Sequence, residues 1–104
     1  MNKEKDMNGN IKITVDFCNG TEFKNVNIQV NRECTVSQLQ IKLRKYMKVK
    51  PCVAVFIFFQ YEKFFFEREK LYGGNVLLKD IQSELCITIL KVKMLLENAF
   101  GCVK

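Results

Sequence analysis

Three patterns predict an α+β domain, a mixed sheet of four to five strands with one main helix packed on one face. The first is a hairpin pattern over residues 11–30. The second is a capped helical stripe from Thr35 to Met47. The third is a series of apolar, strand-length segments after Pro51. A chain of 104 residues suffices for one domain with a modest core, and 48% hydrophobic content lies in the globular range.

The elements follow in chain order. Residues 1–9 are polar, close on Asn8-Gly9 and read as a flexible N-terminal extension. Ile11, Ile13, Val15 and Phe17 alternate with polar residues, the pattern of a half-buried strand. Asn19-Gly20 signals a tight hairpin turn, and Val26, Ile28 and Val30 alternate with Asn25, Asn27 and Gln29 on the return. Thr35 and Gln38 form a T-x-x-Q capping box ahead of a stripe of Val36, Leu39, Leu43 and Met47, with Tyr46 beside it. Pro51 closes the helical segment.

Val53–Phe59 has the length and β-branched, aromatic content of a buried strand. Gln60–Lys63 reads as a turn and Phe64–Phe66 as a short strand. Successive strand side chains alternate in direction, so at least one of these phenylalanines is exposed or held by a partner. Gly73-Gly74 marks a loop, Asn75–Lys79 a short helical turn, and Leu85, Ile87 and Ile89 a last strand over Glu84–Leu90. A hairpin, a helix crossing one face and returning strands together define a β-grasp arrangement. The domain is placed at residues 10–92 and a C-terminal tail at 93–104, with helical propensity over Lys93–Ala99.

Composition narrows the function classes. The longest apolar run, Val53–Phe59, is too short to span a bilayer, so no membrane insertion is expected. The opening MNKEKDMNGN lacks the apolar stretch of a secretory signal. Five scattered cysteines without a C-x-x-C pair, and no histidine at all, support neither a disulfide framework nor the usual zinc ligand sets. Reduced thiols, a cytoplasmic or nuclear location, and no metal or other cofactor are the expectation. The net charge of +6 comes with no nucleic-acid motif and reads first as a solvated lysine-rich surface.

The later half is more specific. Gly74-Asn75-Val76-Leu77-Leu78-Lys79, followed by Ser83-Glu84-Leu85, resembles the signature of the ubiquitin-fold modifier of the ufmylation pathway. The segments IKIT at Ile11–Thr14 and KVKP at Lys48–Pro51 are similar to the corresponding family segments. The resemblance covers roughly residues 10–90. It implies a ubiquitin-like protein modifier, not an enzyme, whose C-terminal glycine is exposed by a processing cysteine protease. That glycine would be activated as a thioester by E1-like and E2-like enzymes and joined, with an E3-like ligase, to lysines of target proteins.

On that resemblance Gly101 is the conjugating glycine and Cys102, Val103 and Lys104 are the removed tail. Lys79 matches the family's chain-forming lysine, and as a residue read alone it is one surface lysine among many. The family has valine before its glycine where this chain has Phe100, and the stretch from Lys91 to Phe100 exceeds the family's short tail. A glycine suits the role because it threads a narrow channel and adopts any backbone angle. The family also implies conjugates at the endoplasmic reticulum surface and ribosome-associated targets.

Cys102 has no histidine to activate it as a nucleophile. Val26, Ile28 and Val30 are candidate docking residues for the activating enzyme, on a strand that a β-grasp sheet leaves at its edge. The competing reading of that strand is an edge protected by its asparagines. Two alternative functions stand beside the first. One is an autophagy-type modifier, suggested by the VFIFF strand and the Phe-Gly ending. The other is a β-grasp binding module that is never conjugated.

Overall fold

The alternation at Ile11–Phe17 and its echo at Val26–Val30 become strands β1 (Asn10–Asn19) and β2 (Glu22–Asn31). A computed structural model of the chain describes residues 9–19 and 22–98. The two strands pair antiparallel from Asn10↔Asn31 to Asn19↔Glu22, and the turn expected at Asn19-Gly20 reaches outside the described residues. Helix α1 spans Val36–Met47, and strand β3 spans Val53–Lys63. Then come β4 (Phe66–Lys70), α2 (Leu78–Leu85) and β5 (Leu90–Asn98). The five strands form one mixed sheet in the order β2-β1-β5-β3-β4, with β1 and β5 parallel. This is the ubiquitin-like β-grasp fold.

The core lies between α1 and one sheet face. Val36, Leu39 and Leu43 meet Ile13, Val15, Ile57, Phe59, Val92 and Met94, all buried. Met47 packs against this cluster from the end of the helix. The capping box forms as expected: Gln38 N–H donates to Thr35 Oγ1 at 3.2 Å, and Thr35 N–H donates to Gln38 Oε1 at 2.9 Å. At the other end of α1, Lys48 takes the left-handed conformation with φ 56°. The helix therefore stops at a cap before Pro51 is reached. Arg44 fastens that end to the sheet, its guanidinium donating to the Lys50 and Val53 carbonyls.

A second contact sets where α2 goes. The first backbone donors of α1, Val36 and Ser37, donate to the Val76 and Gly74 carbonyls, each at 3.0 Å. In return Leu78 N–H donates to Cys34 O at 2.8 Å and Lys79 N–H to Arg32 O at 3.3 Å. Each helix N-terminus is thus satisfied by the loop preceding the other, and Thr35 and Leu77 form a bridge between them. α2 has no side-chain cap of its own. The approach is close at Gly74, where an added Cβ would lie 2.2 Å from Ser37 Oγ.

Several expectations are corrected. Residues 84–90 are the end of α2, a loop and the first residue of β5, not a strand. Leu78, Ile81 and Leu85 follow helical spacing, and the alternation at 85, 87 and 89 belongs mostly to the loop, where Ile89 is 44% exposed. Residues 93–98, read as the start of a tail with helical propensity, complete β5, so the boundary at residue 92 falls inside a strand. There Leu90, Val92 and Met94 are buried at period two between β1 and β3, and this packing overrides propensity. Gln60–Lys63 extends β3, and the turn falls at Phe64-Phe65. Cys52 is disulfide-bonded while Cys34 and Cys86 are free, against the expectation of reduced thiols throughout.

The β3–β4 turn is conformationally costly. Lys63↔Phe66 closes a two-residue loop in which Phe64 and Phe65 have φ of 55° and 69°. Hairpins of this kind favour Asn-Gly, and each side chain with a Cβ held there costs about 1–2 kcal/mol.

The crossed caps yield a stability test. Gly74→Ala should destabilise the chain by about 1 kcal/mol in chemical denaturation. In a Ser37→Ala background, which removes the 2.2 Å clash with the hydroxyl, most of that loss should disappear.

Candidate docking edge and conjugation handle

Strand β2 lies at one edge of the sheet and hydrogen-bonds to β1 alone. The register sets Val26, Ile28 and Val30 opposite Val15, Ile13 and Ile11, on the face that carries α1. The three differ in access. Val30 is buried and belongs to the core, whereas Val26 and Ile28 are half-buried and open toward the edge. An extended peptide pairing with β2 would set alternate side chains over those two. Asn25 and Asn27 point to the opposite face, where Asn25 Nδ2 donates to Asp16 Oδ1 and Thr14 Oγ1 donates to Asn27 Oδ1. Their amides are engaged across the sheet, so they leave the backbone edge uncovered. A hollow beside the hairpin, bordered by Lys12, Thr14, Asn27, Ile28 and Ile89, adjoins the same strand.

Lys79 sits in the first turn of α2. Its ammonium is 3.1 Å from Glu33, and its side chain is 34% exposed. A surface pair of this kind contributes about 0–1 kcal/mol, so the amine is tethered yet released at small cost. Glu84, in the last turn of the same helix, pairs with Lys70 of β4. This hydrogen bond holds the Glu84 carboxyl below its usual range and raises Lys70 above its own. The Lys70 ammonium also stands 5.0 Å from the centre of the Tyr72 ring, which meets Phe59 edge-on at 5.5 Å. Burial raises the Tyr72 phenol.

The motif residues thus carry the architecture: Gly74 and Val76 cap α1, Leu78 is core, and Glu84 ties α2 to β4. The crossed capping was invisible in the sequence because its bonds run between backbone groups some 40 residues apart.

Gly101, Cys102, Val103 and Lys104 lie outside the described residues. β5, from which they follow, is the central strand and runs to Asn98, paired there with Val53. Among the described residues, no group of three or more His, Cys, Asp or Glu side chains is placed to hold a metal ion. No helix there is long and apolar enough to cross a membrane.

No protein-family model matches the chain, and no curated protein does. Solved structures do. That of Trypanosoma brucei ATG8 superposes with a TM-score of 0.68, covering 96% of this chain and 86% of that one at 18% identity. A likeness at that identity establishes the class of fold, ubiquitin-like β-grasp.

The Lys70–Glu84 pair makes a signed pH prediction. Glu84 is depressed, so its contribution is present above its unfolded value near 4.5 and is lost as pH falls through the lower folded value. Lys70 is raised, so its share is complete below 10.5 and is lost as pH climbs through the folded value. The stability difference between wild type and Glu84→Gln should therefore be widest at neutral pH and narrow toward both extremes. Urea unfolding across the pH range measures it.

Proposed function

We propose that this chain is a ubiquitin-like protein modifier joined to lysines of target proteins through Gly101, and is not an enzyme. The observation that carries the reading is the course of β5. With the sheet extending to Asn98, only Ala99 and Phe100 separate the fold from Gly101. The stretch that looks too long for a modifier's tail is mostly strand.

Hydrolysis after Gly101 breaks its peptide bond to Cys102 and leaves a glycine carboxylate. Adenylation of that carboxylate expels pyrophosphate from ATP. A thiolate of the activating enzyme then displaces AMP, a second thiol exchanges for the first, and a lysine amine displaces the final thiol to form the isopeptide bond. The partners are a processing cysteine protease and activating, conjugating and ligase enzymes.

Ufmylation is the finer reading, supported by Gly74–Lys79 and Ser83–Leu85, with conjugates at the endoplasmic reticulum surface. Because those residues also serve the crossed caps and the β4 contact, their presence speaks for a fold variant as much as for a pathway. An autophagy-type modifier is the second reading, favoured by the structural likeness to ATG8, the VFIFF strand and the Phe100-Gly101 ending. Lys79 is the proposed chain-forming lysine and β2 the proposed docking edge.

Intact mass after incubation in extract of the protein's own cells tests the handle. Loss of Cys102-Val103-Lys104 followed by ATP-dependent, lysine-linked adducts is expected, with Gly101→Ala forming none. An unchanged mass beside a demonstrably active protease and activating enzyme would sink the proposal. At the edge, Ile28→Lys should weaken binding of the activating enzyme at least tenfold in calorimetry, while the exposed Lys24→Gln leaves it within twofold.

A further inference from the structure

The β3–β4 hairpin projects from the domain. β3 pairs with β5 only as far as Gln60↔Lys91, whereas its pairing with β4 continues to Lys63↔Phe66. Three residue pairs therefore overhang, a length of roughly 10 Å. At the tip stand Phe64, Phe65 and Phe66, exposed by 74%, 101% and 65%. No packing in the domain requires these rings, and two of them occupy positive-φ positions that glycine or asparagine would fill without strain.

Charge is sorted between the two faces of the overhang. Cross-strand partners share a face, so Tyr61, Lys63, Phe66 and Arg68 lie on one side, with Glu62 and Glu67 directly opposed on the other. Like charges in direct opposition disfavour a pair, so this sorting is a second local cost at the same tip. The Lys63 ammonium lies 5.6 Å from the centre of the Phe64 ring. Neither Lys63 nor Arg68 forms an ion pair with a carboxylate among the described residues.

We propose that this hairpin tip docks the domain reversibly on an anionic lipid bilayer. Phe64, Phe65 and Phe66 would enter the interface, Lys63 and Arg68 would meet lipid phosphates, and the Glu62/Glu67 face would turn outward. The overhang matches the 5–10 Å to which interfacial segments bury their apolar face. A bilayer suits the shape as well as the charge. All three rings stand exposed at a projecting turn, and a fluid interface surrounds such a tip where a protein partner would need a matching concavity. This contact is shallow, spans nothing, and is independent of conjugation at Gly101.

The test is co-sedimentation of the full chain with vesicles of phosphatidylcholine alone and with 30% phosphatidylserine. Saturable binding to the anionic vesicles, weakening with salt, is expected. Phe64→Asn/Phe65→Gly should cut partitioning at least tenfold while raising the thermal midpoint, because the turn is then unstrained. Lost binding therefore cannot be ascribed to unfolding. Lys63→Gln/Arg68→Gln should reduce binding to anionic vesicles several-fold. The chain contains no tryptophan, so Phe65→Trp supplies a single emission probe that should shift to the blue on binding. Absence of wild-type binding would overturn the proposal. So would equal binding by the Asn-Gly variant, which would reduce the effect to adsorption of a +6 chain. A tip needed for RNA or protein capture but not for vesicle binding would overturn it too.

Discussion

The arrangement of this domain depends on a reciprocal exchange of backbone hydrogen bonds between Arg32–Ser37 and Gly74–Lys79. A helix start leaves unsatisfied N–H groups, and here each of two helices uses carbonyls from the loop before the other. Neither start is complete alone. Thr35 and Gln38 satisfy two donors at α1, but Val36 and Ser37 need Val76 and Gly74. The exchange pins α2 at the head of α1 and delivers the chain to Leu90, where β5 enters between β1 and β3. Its closeness explains a glycine at 74, since Ser37 Oγ occupies the space of a Cβ.

That exchange also changes what the Gly74–Leu85 segment signifies. A stretch that resembles a family signature invites a functional interpretation, yet nearly every residue of it has a structural duty. Leu78 and Ile81 are core, Val76 and Leu85 pack against that core, and Glu84 holds Lys70. Lys79 is the member whose ammonium faces out, and it is bound to Glu33 by a weak surface pair. The chemistry proposed for the chain therefore rests on Gly101, while the signature segment builds the fold.

Two edges of the same sheet are used differently. β2 offers an unpaired backbone beside half-buried Val26 and Ile28, a geometry made for strand addition. β4, at the other edge, is exposed along its whole length, carries charge and ends in the phenylalanine tip. Dense charge discourages pairing along β4, so apolar exposure is confined to its turn.

Local regularities were legible in the sequence by itself. The β1–β2 hairpin, the capping box, the core stripe of α1 and the buried part of β3 are encoded by neighbours within a few residues, where period and capping chemistry act. The β-grasp class followed from them, and so did an edge position for Val26–Val30. Three things were decided only by tertiary structure. α2 lacks a side-chain cap and is completed by carbonyls some 40 residues away. β5 takes a segment of helical propensity and holds it as strand, because bonds on both sides and burial of Val92 and Met94 outweigh local preference. The triple-phenylalanine turn was hidden because the sequence carries none of the residues that such a turn prefers. Its conformation is imposed by the register of β3 on β4, a constraint that acts between strands and not along the chain.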